Sequence, residues 1–144
     1  MFKHILVPTD GSDITAKAVQ TAITMARTTG AKLSTVSVKE PFPYSAISEM
    51  QPVPPQEFFD AQERIAAGRV KSVMDAAAAA GLSCSGSTVE ALHPWEAILE
   101  VAEKEGVDLV VMASHGRRGM AALLLGSETQ RVLIHSKLPV LVVK

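Results

Sequence analysis

Short apolar segments alternate with longer helix-like segments along the chain, and this alternation is the strongest constraint on how the chain can fold. Strands are predicted over residues 5–7, 32–38, 83–90, 109–112 and 138–143, and helices over residues 12–29, 56–80, 94–106 and 127–136. Nearly continuous apolar strands that alternate with helices are typical of a parallel sheet covered on both faces. The pattern therefore predicts a three-layer, doubly wound α/β fold.

Residues at the ends of these segments predict where the helices start and stop. Ser12 is suited to the N-cap of the first helix, and Gly30 to its C-terminal stop. Pro94 suits the first position of the third helix, where a missing N–H is tolerated. In the second helix one apolar stripe is predicted, formed by Ile65, Ala66, Val70, Val73, Ala77 and Ala80.

Length and composition exclude several classes of protein. A chain of 144 residues predicts one domain over residues 1–144. Its net charge of −1 gives no argument for binding to nucleic acid or to a membrane. The single cysteine, Cys84, excludes an intrachain disulfide and leaves no cysteine cluster for zinc. The apolar run after Met1 is too short for a signal peptide or a membrane helix, so a cytoplasmic protein is expected.

Two loops are candidates for a ligand site. In doubly wound sheets, ligands bind outside the carboxyl ends of the strands, where the strand order reverses. One loop, residues 8–12, follows the first strand, and the other follows the fourth strand and carries Gly116 and Gly126. A helix-like segment starts directly after Gly126. Backbone N–H groups at a helix N-terminus attract anions, and glycine lets a phosphate approach the main chain.

Each residue of these loops has a structural interpretation beside the functional one. Asp10 can accept hydrogen bonds from ligand hydroxyls, or it can form an Asx-turn that caps the first helix, and the two roles can coexist. Gly116 and Gly126 can form an anion cradle or can be turn and cap glycines. Ser127 and Gln130 match a capping box, which needs no ligand.

The charged residues of the second loop point to binding rather than to catalysis. His115 is interpreted as a phosphate contact or a loop histidine, because no nucleophile and no carboxylate partner accompany it as they would a catalytic base. Arg117 and Arg118 place positive charge beside the expected anion. The chain has no P-loop motif and no G-x-G-x-x-G after the first strand, which argues against a dinucleotide-binding domain. His4, His93 and Trp95 are interpreted as structural residues.

Four segments extend from one end of the chain to the other: residues 5–12 (ILVPTDGS), 108–119 (DLVVMASHGRRG), 124–127 (LLGS) and 138–143 (LPVLVV). In this order and spacing they resemble the universal stress protein domain of the UspA family. The resemblance implies a five-stranded parallel sheet of order 3-2-1-4-5, with the adenine nucleotide α-hydrolase-like fold. It also implies a homodimer in which the last strands of two subunits, Val140, Leu141, Val142 and Val143 in each, pair antiparallel.

The resemblance also implies an ATP site. ATP-binding members carry a G-x2-G-x9-G-[ST] pattern, which Gly116, Gly126 and Ser127 match here, while Ala113 replaces the first glycine. Alanine is harmless at that position if its φ is negative and strained if its φ is positive. The residues implied around adenine and ribose are Pro8, Thr9, Asp10 and Val38; those along ribose and phosphates are Met112, Ala113, His115 and Gly116; and those on the phosphates are Gly126, Ser127, Glu128 and Thr129.

We therefore expect a stress-response switch that binds ATP with Mg²⁺ or Mn²⁺ held through the phosphates. No base–nucleophile pair and no acidic pair for a metal is recognisable, so hydrolysis is expected to be slow or absent and no catalytic residue is assigned. A nucleotide-independent dimeric interaction module is the alternative. It is motivated by Ala113 and by residues 39–55. These residues contain five of the eight prolines of the chain and are therefore predicted to form a long loop. An adenylating enzyme is disfavoured, because residues 8–12 lack the Ser-Gly-Gly-x-Ser loop of such enzymes.

The C-terminal strand offers a physical reason for dimerisation. Residues 140–143 are apolar on both faces, and the implied strand order places them at a sheet edge. A bare apolar edge strand promotes aggregation unless it is covered or paired. Pairing with a second copy across a two-fold axis covers the edge and closes the assembly. The alternative is that the strand is buried between helices.

Overall fold

The computed structural model describes residues 1–42, 55–116 and 125–144, and it shows the predicted alternation of strands and helices within them. Most of the proline-rich segment, together with Arg117 and Arg118, lies outside the described residues. The elements are β1 (His4–Pro8), α1 (Asp13–Thr29), β2 (Lys32–Lys39), α2 (Gln56–Ala79), β3 (Cys84–Glu90), α3 (Pro94–Glu105), β4 (Leu109–Ala113), α4 (Ser127–His135) and β5 (Val140–Val143).

The five strands of the described residues form one parallel sheet of order β3-β2-β1-β4-β5, which confirms the predicted topology. The chain moves outward from β1 through β2 to β3, crosses back to β4 beside β1, and ends at β5. The strand order therefore reverses between β1 and β4. β5 lies at one edge of the sheet, and its Leu141 side chain is 37% exposed.

Both faces of the sheet are covered by helices, which explains the continuous apolar strands. Successive side chains of a strand point to opposite faces. Ile5 and Val7 of β1 accordingly pack in a core with residues of α1 and α2, whereas Leu6 packs with residues of α3 and α4. All three side chains are fully buried. None of the described helices combines the length and the apolarity that a membrane span needs.

The helix boundaries follow the predicted capping residues. The Ser12 hydroxyl accepts a hydrogen bond from the Thr15 N–H at 3.3 Å and caps α1. Gly30 ends α1 in the left-handed conformation, at φ 74°. Pro94 opens α3, and Gly106 ends it at φ 70°. These residues are local signals, which is why the sequence alone locates them.

The predicted stripe on α2 is correct except at its two ends. Ala66, Val70, Val73 and Ala77 are buried, but Ile65 is 47% exposed, so its assignment to the stripe is wrong. Ile65 lies about 100° around the helix from its neighbour Ala66 and so points away from the sheet. Ala80 lies beyond the last residue of α2, as its C-cap, and is partly buried.

Candidate functional site

The loops that follow β1 and β4 diverge at the point where the strand order reverses. β1 and β4 are parallel neighbours, with Ile5 opposite Leu109. α1 follows β1 on one face of the sheet, and α4 follows β4 on the other. The two loops therefore border a crevice at the carboxyl ends of the strands, which is where sheets of this kind bind ligands.

Asp10 belongs to the loop after β1 and contacts the loop after β4. Its Oδ1 accepts hydrogen bonds from the Ser12 N–H at 2.9 Å and from the Thr15 hydroxyl at 2.8 Å, so the predicted Asx-turn is present. Its Oδ2 lies against Gly116 of the β4 loop, so close that a Cβ at Gly116 would overlap it. The carboxylate thus fixes the start of α1 with one oxygen and reaches the β4 loop with the other.

Gly116 and Gly126 are required by close packing rather than by backbone conformation. Neither residue has a positive φ, and Gly126 has φ −61°. A Cβ at Gly126 would lie 2.9 Å from the His115 Cα and 3.2 Å from the Ser114 carbonyl oxygen. Real Cβ atoms essentially never approach another atom so closely as 2.9 Å. Gly126 therefore lacks a side chain because the loop after β4 packs directly against the start of α4.

Ala113 meets the condition for a harmless replacement of glycine. It is the last residue of β4, and no non-glycine residue in the described ranges has a positive φ. Its side chain is buried, and its carbonyl oxygen accepts a hydrogen bond from the Thr129 hydroxyl at 2.8 Å. Ala113 therefore carries no backbone strain, and it links β4 to the first turn of α4.

The start of α4 differs from the predicted capping box. The N-cap is Gly126, and Ser127 is already the first helical residue, so no side chain caps the helix. Gln130 donates its side-chain N–H to the Leu125 carbonyl at 2.6 Å instead. The Gly126 N–H donates to the Ser114 carbonyl at 2.7 Å, and this tertiary hydrogen bond fixes the helix start one residue earlier than the local pattern indicates.

The first turn of α4 directs two of its side chains into the fold. Thr129 is buried and bonded to Ala113, and the Glu128 carboxylate accepts a hydrogen bond from the Trp95 backbone N–H at 2.9 Å. Ser127 is exposed. The groups of this turn that can face an anion are therefore the backbone N–H groups and the Ser127 hydroxyl, since a helix N-terminus leaves its first N–H groups without intrahelical partners.

The remaining predicted residues lie on the strands beneath the crevice. Pro8 ends β1, and Thr9 follows it, donating its N–H to the Val36 carbonyl at 2.9 Å. Val38 is two residues beyond Val36 on β2 and so shares its face of the sheet. Met112 of β4 packs in the core with α3 and α4. Pro8, Val38 and Met112 thus lie at the ends of β1, β2 and β4 on the side of α3 and α4, whereas Thr9 faces α1 and α2.

His115 follows Ser114 in the loop after β4. Its Nδ1 lies 3.3 Å from the Ser114 hydroxyl, and no carboxylate hydrogen-bonds to its ring within the described residues. In residues 1–42, 55–116 and 125–144, no group of three His, Cys, Asp or Glu side chains is arranged to hold a metal ion.

Three residues of the site escaped sequence reasoning. Gly11 has φ 78°, the left-handed region that favours glycine, and the Asp-Gly pair was a usable turn signal. The Ser114 backbone bonds to Gly126 and also donates to the Val143 carbonyl at 2.8 Å, which no sequence pattern reveals because side chains are not involved. Trp95 contacts Glu128 across 33 residues of sequence.

A cavity of about 410 Å³ opens beside the crevice, between α1 and α2. Thr9 and Gly11 lie at its edge, while most of its lining belongs to the two helices, including Arg69 of α2. It is therefore on the opposite face of the sheet from Met112, and we assign the candidate site to the crevice, where the glycines and the α4 N-terminus converge.

An ion pair holds α2 against the strand ends next to the site. Lys39, the last residue of β2, contacts the Glu63 carboxylate at 2.8 Å, and the Thr88 hydroxyl of β3 donates to the same carboxylate at 3.0 Å. These two contacts hold the pKa of Glu63 below its ordinary value of 4.5, with the Lys39 contact as the larger cause. Ionised Glu63 thus joins α2 to two strands.

Comparison with known proteins finds members of one family. The profile of the universal stress protein family matches residues 1–144. A universal stress protein of Thermus aquaticus is 34% identical over 145 residues, which cover 100% of both chains. The solved structure of a Methanocaldococcus jannaschii universal stress protein superposes with a TM-score of 0.84 at 28% identity, covering 100% of this chain and 96% of the other.

A further solved structure carries a ligand. It is a universal stress protein in complex with cAMP, with a TM-score of 0.72 and 27% identity, and the match covers 99% of this chain and 97% of that one. The likeness to these structures and the strand order together identify the adenine nucleotide α-hydrolase-like fold.

Proposed function

Because the chain belongs to the universal stress protein family, we propose that it binds ATP in the crevice between the β1 and β4 loops. The main observation behind this proposal is that Gly126 packs against His115. This packing brings the N-terminus of α4 to the end of β4 without an intervening side chain. Such a helix start, approached through glycine, suits a phosphate group. The structure of a related protein of this family contains the adenine nucleotide cAMP, which supports the proposal that the ligand has an adenine base and a ribose.

In this proposal the phosphates lie against the first turn of α4. The backbone N–H groups of Ser127, Glu128 and Thr129 and the exposed Ser127 hydroxyl are the donors, and the partial positive charge of the helix N-terminus adds to them. Gly116 and His115 line the approach from β4. A Cβ at either glycine would occupy space that the two loops already fill, so the glycines let these loops pack closely beside the proposed phosphates.

The nucleoside part is proposed to lie over the ends of β1 and β2. Pro8, Thr9 and Val38 offer surface to the adenine, and Asp10 offers a carboxylate to the ribose hydroxyls. Asp10 is held rigidly for this purpose, since two hydrogen bonds fix its Oδ1. Met112 and the backbone of Ala113 are proposed to continue the site along β4, while the Ala113 methyl group packs without backbone strain in the core with α1 and α2.

A divalent ion, Mg²⁺ or Mn²⁺, is proposed to arrive with the nucleotide and to be held by its phosphates. The described residues offer no three-carboxylate or histidine cluster for a resident metal. The ion would neutralise phosphate charge, and this chain's own residues would orient the nucleotide. The Ser114 hydroxyl lies 3.3 Å from the His115 ring, but no carboxylate among the described residues bonds to that ring to orient it as a base. We therefore propose a switch that reports bound nucleotide and hydrolyses it slowly or not at all.

The switch is proposed to act as a single-domain cytoplasmic protein that dimerises through β5. Leu133 and Ile134 of α4 and Leu141 of β5 are exposed apolar residues, so this edge of the molecule presents apolar surface. Pairing β5 with its copy across a two-fold axis would cover part of it. A nucleotide-independent interaction module remains the function to consider if no nucleotide binds.

The decisive experiment is nucleotide analysis of the purified protein. Freshly purified protein is denatured, the supernatant is separated by anion exchange, and the protein is then titrated with ATP and Mg²⁺ by calorimetry. We expect bound or bindable ATP, and ATP at 100 times its Kd should raise the free energy of unfolding by about 2.7 kcal/mol. Failure to bind ATP at millimolar concentration contradicts the proposal.

Two glycine substitutions, one in the proposed site and one outside it, test whether ATP binds where we propose. Gly126→Val should abolish ATP binding, because its side chain would overlap His115 and Ser114. Gly68→Ala is the control, because Gly68 lies in α2 and a Cβ there meets no atom within 4 Å. If Gly126→Val binds ATP as tightly as Gly68→Ala does, the assigned site is wrong.

A further inference from the structure

Trp95, the single tryptophan of the chain, contacts both ends of α4. Its backbone N–H donates to the Glu128 carboxylate in the first turn of α4 at 2.9 Å. Its indole ring stacks on the His135 ring in the last turn, with centroids 4.3 Å apart and an angle of 19° between the planes. Glu128 and His135 are seven residues apart, close to two helical turns, so they lie on the same face of α4.

The contact with Glu128 also supplies the N-terminus of α3 with a cap. The N-cap residue of α3, His93, makes no side-chain capping hydrogen bond, and Trp95 is the second helical residue. A carboxylate at a helix N-terminus is stabilised by the partial positive charge there. Glu128 therefore directs its charge to the N-terminus of α3 and not to that of its own helix, where it would compete with a phosphate for the N–H groups.

The ring of Trp95 is held by packing and not by its own polar group. The indole Nε1 is buried and has no hydrogen-bond partner among the residues that the structure describes. The ring packs against the core formed with α3 and α4. Because the indole N–H makes no hydrogen bond there, the contacts that hold the ring are its stacking on His135 and its apolar packing.

We propose that Trp95 is a positioning residue of the nucleotide site: it clamps α4 at both ends and so fixes the helix turn that receives the phosphates. The inference rests on the proposed ATP binding. Trp95 itself touches no phosphate in this arrangement and acts through Glu128 and His135. On the β4 side, the same turn is tied by the Thr129 hydroxyl to the Ala113 carbonyl at 2.8 Å, so the clamp supplies the second of two fixed points.

Calorimetric titration with ATP and Mg²⁺ tests the clamp in four variants of the full chain. Glu128→Ala removes the acceptor for the Trp95 N–H and should weaken ATP binding by up to about tenfold, the loss expected if the free energy of this hydrogen bond is coupled to the site. Glu128→Gln keeps an acceptor and should recover most of that loss. Trp95→Leu should also weaken binding, and Trp95→Phe, which can still stack on His135, should weaken it less.

Glu103→Ala is the matched control, because Glu103 is an exposed residue of the same helix α3 on which Trp95 lies. It should bind ATP like the wild type. Thermal unfolding without nucleotide is measured for every variant, and titrations are run well below each Tm. A merely structural role would lower Tm and leave the Kd at that temperature unchanged, whereas a positioning role raises the Kd.

The outcomes separate this inference from the proposed function. If the wild type binds ATP and both Glu128→Ala and Trp95→Leu bind it equally well, the clamp is wrong and the nucleotide site stands. If the wild type binds no ATP, both are wrong. Should Trp95→Leu fail to fold, the Glu128 pair decides alone, and equal affinities of Glu128→Ala and Glu128→Gln overturn the clamp.

Discussion

The Oδ2 atom of Asp10 lies in the space that a Cβ atom at Gly116 would need. This close contact joins the loop after β1 to the loop after β4, directly across the point where the strand order reverses. Gly116 does not have a positive φ, so its lack of a side chain serves this contact and not a special backbone conformation. The Asp10 carboxylate therefore packs one wall of the crevice against the other.

Replacing Gly116 by alanine should displace Asp10. The new methyl group would overlap the carboxylate, and moving Asp10 would disturb its hydrogen bonds to Ser12 and Thr15. We expect a loss of about 1–3 kcal/mol in the free energy of unfolding, as for other overpacked sites, together with weaker ATP binding. Urea denaturation and calorimetry measure the two effects.

Gly68→Ala again provides the reference for this substitution. A Cβ at Gly68 meets open space, and alanine favours a helix interior over glycine by about 1 kcal/mol, so this variant should be at least as stable as the wild type. Equal stabilities of Gly116→Ala and Gly68→Ala would contradict the expected loss and show that the Asp10 carboxylate moves aside without cost to folding.

Thr129→Val should loosen the first turn of α4. Valine keeps the shape of threonine but removes the hydroxyl that donates to the Ala113 carbonyl, and both residues are buried. An unsatisfied buried carbonyl costs about 1–3 kcal/mol, so we expect a loss of stability in that range. ATP affinity should fall as well, because the turn that faces the phosphates loses its link to β4.

The control for Thr129→Val is Thr21→Val on α1. The Thr21 hydroxyl also donates to a backbone carbonyl, that of Lys17, but in an exposed position where water can replace it. Chemical denaturation should show almost no change for this variant, and calorimetry no change in ATP affinity. A Thr129→Val protein as stable as Thr21→Val would remove the assigned role of the hydroxyl.

The fold could be predicted further than the site because its signals are local. Ser12, Gly30 and Pro94 occupy their predicted capping positions, and these depend on neighbours within one helical turn. The strand order came from the family resemblance, and the structure confirms it. Ile65 was misplaced because a single residue of offset on a helix rotates a side chain from the core to solvent.

The details of the site depend on contacts between distant residues, which one sequence does not reveal. The Ser127–Gln130 spacing fits a capping box, but the hydrogen bond from Gly126 to the Ser114 carbonyl moves the helix start. Glu128 was assigned to the phosphates through the resemblance, whereas its carboxylate binds the Trp95 N–H from another helix. The role of each glycine depends on the atoms that a Cβ at its position would meet, and only the structure gives these.

The pH dependence of stability should contain a contribution from Glu63. Its pKa is lowered in the folded protein, mainly by Lys39 and next by Thr88. A group whose folded pKa is depressed stabilises the fold above its unfolded pKa, and this contribution is lost as the pH falls through the folded value. The free energy of unfolding should therefore decrease below about pH 4.5, and Glu63→Gln should reduce the slope.

Urea midpoints measured between pH 3 and pH 7 test this expectation. Glu100→Gln is a suitable control, because Glu100 is an exposed residue on α3, away from Lys39. It should retain the wild-type slope. A Glu63→Gln protein with the same slope as Glu100→Gln would show that the ion pair does not contribute to folding stability.

A charge at the centre of β5 should prevent the proposed dimer. Leu141 lies at the sheet edge and is 37% exposed, so Leu141→Lys leaves the single chain little perturbed but places two like charges near each other if β5 pairs with its copy. Charged residues, lysine above all, are known to block edge-to-edge strand pairing. Light scattering should find a dimer for the wild type at micromolar concentration and a monomer for Leu141→Lys. Leu92→Lys is the control, because Leu92 is 73% exposed and lies outside the sheet, and this variant should remain a dimer. Pairing through β5 is contradicted if the wild type is a monomer or if the Leu141→Lys protein is a dimer.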